Sequence, residues 1–343
     1  MIDKPLRTAA VAAAAALILV SGAAAAQDAL KLKFATFGSS ANPIVRCGPL
    51  SLLDDINKGS GGKITFENYI GAGSFSAPPK LYEQVAKGIM DLSWGLQDYS
   101  PGRFPLSEVI SLPFAAEDNI AAAKAVAKLF PKFLAKEYQD VHVIMLPMVS
   151  PYQLHSRKPV TKIEDVKGLR IRGAGIGTKA ALEDLGAAVS VMPSTLQYES
   201  LQKGVIDATM GTWATLIAFK LNEIVSHHTA LDFATLPAFM VMSKKSYAAL
   251  SPGQKAIVDS LSTPEKAAEI SSCWTKVDTL AIAEAKKLGH TIVEPSDAER
   301  EAWRKATQPA VDRILAGIEA KGQPAREFYS ALKAAIKAER AGK

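Results

Sequence analysis

From residue 30 onward, short runs of alternating apolar and polar residues are separated by longer stretches whose apolar positions recur every three or four residues. Leu30 to Phe37 alternates and is rich in strand-forming residues, which predicts a strand. Asn42-Pro43 opens a helix running to Asn57, with apolar positions at Ile44, Cys47, Leu50 and Ile56. The run Gly59-Ser60-Gly61-Gly62 ends it, and Lys63 to Ile70 predicts a second strand. A helix from Pro78 to Lys87 stops at Gly88, and Met90 to Trp94 reads as a third strand. Strand, helix, strand, helix, strand is the order of a parallel sheet covered by helices.

A second block repeats this logic. Val141 to Val149 is an apolar run, and Tyr152 to Ser156 alternates before the turn Arg157-Lys158-Pro159. Gly168 to Arg172 predicts a short strand, Thr178 to Leu185 a helix ended by Gly186, and Val189 to Met192 a strand. Ser194 or Thr195 caps a helix through Lys203, and Val205 to Met210 is a strand again. Further on, Thr263-Pro264-Glu265 is a strong helix start, and Ala267, Ile270, Trp274, Val277, Ala281, Ala285 and Leu288 keep helical spacing as far as Gly289. At 1.5 Å per residue such a helix is about 37 Å long, more than one small domain needs and enough to brace two.

The first residues have a different character. Lys4 and Arg7 precede an Ala-rich apolar stretch from Thr8 to Val20, and Ala24-Ala25-Ala26 offers small residues for cleavage. This is the pattern of an export signal over residues 1–26, too short to cross a ~30 Å bilayer comfortably. The processed chain is therefore expected outside the cytoplasm. There, an oxidising compartment permits Cys47 and Cys273 to form a disulfide, and their spacing is equally compatible with two separate thiols.

Composition narrows the class. The chain has 343 residues, 48% of them hydrophobic and 22% charged, which fits about two globular domains and excludes a disordered, collagen-like or many-spanning chain. The formal net charge of +6 is scattered, which favours anionic small molecules. No basic stripe interleaved with aromatics occurs, so no nucleic-acid partner is expected. Catalytic patterns are missing as well. The five histidines fall in no H-E-x-x-H motif, and no G-x-S-x-G elbow occurs. Gly62-Lys63 fails as a phosphate loop because Asn57 and Ile64 stand where Gly and Ser or Thr are required. Gly173, Gly175 and Gly177 lack the dinucleotide-binding spacing. No metal, no cofactor and no enzymatic activity are expected; a secreted enzyme acting on a small acid is the alternative from another class.

Several ordered patterns carry a resemblance. They include Gly71-Ala72-Gly73, Glu83-Gln84-Val85-Ala86-Lys87-Gly88, Pro101-Gly102-Arg103-Phe104-Pro105 and Ser111-Leu112-Pro113-Phe114. Lys158-Pro159-Val160, Asp165 to Arg172, Leu185-Gly186-Ala187, Met192-Pro193 and Tyr198 to Asp207 follow. Together they resemble the periplasmic solute-binding proteins of TRAP (tripartite ATP-independent periplasmic) transporters, in the large dicarboxylate-binding-type family. The resemblance implies a two-lobed α/β periplasmic binding protein with a ligand cleft between the lobes and a long bridging helix. Residues 28–149 plus 237–277 would form lobe I, and 150–236 plus 278–343 lobe II. It implies a small-molecule carboxylate as ligand, two TRAP membrane subunits as partners, import driven by an ion gradient, and a monomer. A sensor that reports ligand to a signalling membrane protein would use the same cleft.

Arg172 closes the family's Gly-Leu-basic-apolar-Arg pattern, and the resemblance assigns it to the ligand carboxylate. A planar guanidinium fork matches a carboxylate. Strand parity alone does not choose between Arg172 and Arg170. Departures from the family pattern bear on the ligand. Tyr152 stands where many members carry a second arginine. Asp207-Ala208-Thr209-Met210-Gly211-Thr212 replaces a run whose asparagine falls at Gly211, and Ser194 replaces an aromatic. Phe37, Phe75, Trp94 with Gly95, Trp213 and Phe233 fall in or near segments that line the cleft in relatives, as do Met210 and Gly211. A polar site thus looks exchanged for an aromatic one, and the favoured ligand is a hydrophobic or aromatic monocarboxylate, with C4-dicarboxylates or sugar acids as alternatives.

Overall fold

The computed structural model describes residues 29–71 and 73–342; the export signal expected over 1–26 lies outside the described residues. Eleven strands among the described residues form two sheets. In chain order they are β1 (Leu30–Thr36), β2 (Ile64–Ile70), β3 (Leu92–Leu96), β4 (Val141–Met145), β5 (Gln153–Ser156), β6 (Arg170–Gly173), β7 (Ala188–Val191), β8 (Ala208–Gly211), β9 (His227–Thr229), β10 (Ala238–Ser243) and β11 (Thr291–Val293). The first sheet has the order β2-β1-β3-β10-β4, the second β11-β9-β5-β8-β6-β7.

In the first sheet β1 runs parallel to β2 and β3, with Thr36 opposite both Ile70 and Trp94. β10 is inserted antiparallel between β3 and β4. Every residue of β3 and of β10 is buried, as expected for central strands covered on both faces. In the second sheet β6 pairs parallel with β7 and β8, and β5 lies antiparallel between β8 and β9. The β-α-β reading of both blocks is therefore correct in type, with strand ends displaced by one to three residues.

The first predicted helix is broken. Asn42 Oδ1 accepts from the Ile44 N–H at 2.9 Å and Pro43 follows at the first helical position, so the start is as read. Pro49 then removes an N–H and crowds the preceding turn, and Arg46–Leu50 widens into a π turn before a regular helix resumes over Ser51–Gly59.

Pro264–Lys287 is one helix of 24 residues, capped by Thr263, whose hydroxyl accepts from the Lys266 N–H at 3.1 Å. Its first half packs on the helix Asn119–Phe133 and on the π turn; its second half packs on the short helix Ala214–Ala218 of the other lobe. Trp274 packs into the large core that runs through both lobes, whereas Ala281 and Ala285 pack into a smaller cluster of the second lobe with Leu201, Trp213 and Leu221. Asp278, between them, accepts from the Ala214 N–H at 2.6 Å. Cys47 on the π turn and Cys273 on this helix form a disulfide, with Cα atoms 6.2 Å apart.

The tail divides. Asp297–Glu319 packs on Gly175–Asp184 in the second lobe. Ala325–Ala341, expected with the second lobe, instead returns to the first. Its stripe Phe328, Leu332 and Ile336 is buried, and Phe328 meets Phe133 at 5.1 Å between ring centroids. No described helix is long and apolar enough to cross a membrane.

Candidate functional site

Between the sheets lies a cleft with about 520 Å³ of open space, its mouth included. Phe37, Asn42, Ile44, Val45, Trp94, Leu96 and Tyr99 line it from the first lobe, and Trp274 from the bridging helix. Val149, Ser150, Tyr152, Ser194, Thr212, Ala214, Thr215 and Phe219 complete the wall. None of these side chains carries a charge.

The aromatic side is continuous. Trp94 stacks on Phe37 at 5.4 Å and meets Trp274 edge-on at 5.6 Å. Phe37 in turn meets Tyr99 at 5.5 Å. Trp94 points into the cleft because strand residues alternate faces, and the same rule turns Gly95 away. A Cβ at Gly95 would lie 2.7 Å from the Phe239 ring, on the core side of the sheet. The Trp274 Nε1–H donates to the Ile44 carbonyl at 3.0 Å, and a Cβ at Gly48 would lie 2.9 Å from the same indole. The disulfide one residue from Trp274 and one from Gly48 thus fixes the π turn against the wall of the cleft.

Arg172 lies on β6 behind the end of this wall and is completely buried. Its Nε donates to the Met192 carbonyl at 2.9 Å, its Nη1 to the Met210 carbonyl at 2.8 Å and its Nη2 to the Tyr99 hydroxyl at 3.3 Å. Among the described residues no carboxylate lies within 4.0 Å of it. A guanidinium has five N–H groups, and the Tyr152 hydroxyl is a further partner beside these three. Tyr99, Tyr152 and Ser194, which border the cleft, stand between Arg172 and the open space. The Tyr99 oxygen also accepts from the Ser194 N–H at 3.0 Å, which leaves its own proton free to donate. Burial pushes the Tyr152 phenol up, so it too stays protonated beside the cation.

Asp98, also buried, is the acid that feels Arg172 most directly. Burial pushes its carboxyl up to about 6, opposed by a 3.1 Å hydrogen bond from Ser111 Oγ and by the Arg172 charge. Arg170, the other arginine of the strand, is half-exposed and forms a bidentate pair with Asp207 at 2.9 and 2.6 Å. Burial thus separates two arginines that strand parity could not.

Of the residues expected at the site, Phe37, Trp94 and Tyr152 border the cleft, while Arg172 and the Met210 carbonyl lie directly behind it. Gly211 closes β8; a Cβ there would lie 2.8 Å from Thr215 Oγ1. Four expectations are corrected. Gly95 faces the core, as described. Trp213 turns away from the cleft and packs edge-on against His155 and His228, at 5.4 and 5.3 Å. Phe233 is buried between Phe114 and Trp303. Phe75 is 39% exposed and leans on Tyr69 instead of the cleft wall. Tyr99, Thr212, Phe219 and Trp274 were not read as site residues; only Trp274 carried a signal, as an apolar position of the long helix.

Beneath Thr212 runs a chain of imidazoles. His155 Nε2 lies 3.3 Å from the Thr212 carbonyl, His155 Nδ1 3.0 Å from His228 Nδ1, and His228 Nε2 3.0 Å from His290 Nδ1. The carbonyl can only accept, so His155 carries its proton on Nε2, and His228 then donates from Nδ1 and His290 from Nδ1. Burial holds His155 neutral, pushing it down to about 4, and depresses His228 as well.

Residues 34–317 match the bacterial extracellular solute-binding protein family 7. The chain belongs to this family. Among relatives of this family 7 protein, a solute-binding protein of Albidiferax ferrireducens is 27% identical over 258 residues, covering 73% of this chain and 75% of its own. The C4-dicarboxylate-binding periplasmic protein DctP of Rhodobacter capsulatus is 24% identical over 287 residues, covering 81% and 83%. Among solved structures, a TRAP solute-binding protein from Rhodoferax ferrireducens with copurified benzoate superposes with a TM-score of 0.88 at 26% identity, covering 91% of this chain and 99% of that one. A marine-metagenome TRAP solute-binding protein specific for aromatic acid ligands, with bound 3-hydroxybenzoate, gives 0.87 at 25% identity over 91% and 99%. The family 7 chain is thus a TRAP-type solute-binding protein with the two-lobed fold of that group.

Proposed function

We propose that this protein captures an aromatic monocarboxylate in the periplasm and presents it to TRAP membrane subunits for import. One observation carries the reading: a fully buried arginine with no acid partner within 4.0 Å stands behind two phenols at the end of a wall built from Phe37, Trp94 and Trp274. An isolated buried cation is costly and calls for an anion. Aromatic faces call for a ring. A second carboxylate would find no cation along the wall, which disfavours a diacid. The surface the wall presents to the cleft is mostly apolar, which disfavours the many hydroxyls of a sugar acid. The relatives with benzoate and other aromatic acids support the same class.

The test is a thermal-shift panel on ligand-stripped protein, pairing aromatic monoacids, C4 diacids and sugar acids with their neutral amides. A ligand at 1,000 times its Kd adds about 4 kcal/mol of stability. Aromatic acids should shift the transition and their amides should not. A shift with diacids or sugar acids alone would overturn the reading.

A further inference from the structure

Three side chains of the cleft wall, Ser150, Trp94 and Thr212, carry a buried polar atom without a hydrogen-bond partner among the described residues; the Ser150 hydroxyl acts on the Asp278 carboxylate, which leaves two. The Trp94 Nε1–H and the Thr212 hydroxyl are buried, and neither finds a hydrogen-bond partner among the described residues. Trp94 is 1% exposed and Thr212 5%, and both side chains border the cleft. A buried indole N–H or hydroxyl without a partner keeps its full desolvation penalty, so native proteins rarely leave one. The two come from opposite lobes: Trp94 from β3, Thr212 from the turn after β8. Thr212 is held in place by its own carbonyl, which accepts from Thr215 Oγ1 at 2.6 Å and from His155.

The position of Trp94 relative to Arg172 decides what these atoms can recognise. Tyr99 touches Arg172, Phe37 meets Tyr99, and Trp94 stacks on Phe37, each ring about 5.5 Å from the next, so that Trp94 is joined to Arg172 only through two intervening rings. A substituent on the carbon next to the carboxylate would sit beside Arg172 and the two phenols. An atom on the far side of an aromatic ring reaches the indole. The indole N–H only donates, whereas a hydroxyl both donates and accepts. Building on the aromatic-acid reading above, we infer that the ligand carries a hydroxyl on its ring, meta or para to the acid-bearing carbon. That hydroxyl accepts from Trp94 Nε1 and pairs with Thr212 Oγ1. Trp94 and Thr212 are then specificity-determining residues, and the ring hydroxyl ties one lobe to the other.

Titration calorimetry on the ligand-stripped protein tests this. Benzoate is compared with 3- and 4-hydroxybenzoate, and phenylacetate with its ring-hydroxylated forms and with mandelate, whose hydroxyl sits beside the acid. The wild type should bind at least one ring-hydroxylated acid ten or more times as tightly as its parent, and mandelate no more than threefold better than phenylacetate. Thr212→Val, which keeps the shape, should cut the ring-hydroxyl preference to threefold or less while leaving the parent acid within threefold. Trp94→Phe should reduce the preference in the same way. Equal affinity for parent and hydroxylated acids, or a preference that survives both substitutions, overturns the inference and leaves the aromatic-acid reading standing. Failure of every aromatic acid to bind overturns that reading instead.

Discussion

Replacing Arg172 should separate binding from folding. Three of its hydrogen bonds hold two buried carbonyls and Tyr99. In Arg172→Met the Met192 and Met210 carbonyls lose their donors, at about 1–3 kcal/mol each. Against this, removing an unpaired buried cation relieves a desolvation cost of several kcal/mol. The two nearly cancel, so the empty protein should unfold within about 2 kcal/mol of wild type. Binding has no such compensation. A ligand carboxylate facing no cation should lose about 2–5 kcal/mol, a rise in Kd of about 30-fold to several thousand-fold. Arg172→Lys keeps the charge as a single point and cannot serve both carbonyls and a ligand, so its loss should be intermediate, at about 10- to 100-fold. Titration calorimetry gives the affinities and urea unfolding of the same preparations gives the stabilities. Affinity within threefold of wild type, with a collapsed unfolding midpoint, would refute the reasoning and make Arg172 a structural tie between β6 and its neighbouring segments.

Three further outcomes follow from the packing. Gly175 has φ +77°, and a Cβ there would land on the Asp98 carboxylate across the lobes. Gly175→Ala should therefore cost more than the about 1–2 kcal/mol of a left-handed residue, and Asp98→Ala in the same background should recover part of it; an unchanged urea midpoint would contradict this. Cys47→Ser with Cys273→Ser opens a loop with a sequence separation of 226. Loop entropy puts the loss at about 5 kcal/mol, and equal unfolding of oxidised and reduced wild-type protein would rule it out. His155 is depressed to about 4 by burial, so the unfolded chain binds its proton first as pH falls. Its contribution is present above about 6.5 and is lost from there down to about 4, with a slope of up to about 1.4 kcal/mol per pH unit. Burial raises Asp98, Glu108 and Asp278 to about 6, 7 and 7, and these work in the opposite direction between about pH 4 and 7. The difference in unfolding free energy between wild type and His155→Gln across pH 4–7 isolates the histidine, and a flat difference would exclude it.

Much of the fold was legible because its signals are local. Caps, glycine stops and alternation located β1 to β3, β5 to β8 and the bridging helix, whereas β9, β10 and β11, which carry no such local signal, went unread. Arg172 was legible only through a motif, because periodicity gives Arg170 the same face; the depth of burial that separates them comes from the tertiary fold. The aromatic wall was legible in part. Phe37 and Trp94 were legible through the resemblance, which places their segments at the cleft, and strand alternation, which would have set Gly95 apart from Trp94, was not applied to them. Trp213 and Phe233 lie in connections with no period, and their apolar character was satisfied by packing elsewhere. Tyr99 escaped notice because it sits in a single 3₁₀ turn, Gln97–Tyr99, and matters through one hydroxyl. The pairing of Cys47 with Cys273 depended on a helix crossing that spacing does not encode.

The place of β10 in the first sheet has a consequence for how the molecule is made. Its residues Ala238–Ser243 sit between β3 and β4, yet they follow all but one strand of the second sheet along the chain. A chain emerging N-terminus first therefore leaves β3 and β4 with unpaired edges until Ser243 is available. Cys47 must likewise wait as a thiol for Cys273. Such long-range closure makes folding slow and leaves early segments unable to settle alone. Delayed folding of this kind keeps the nascent chain unfolded, the state in which a polypeptide can be threaded through a narrow pore.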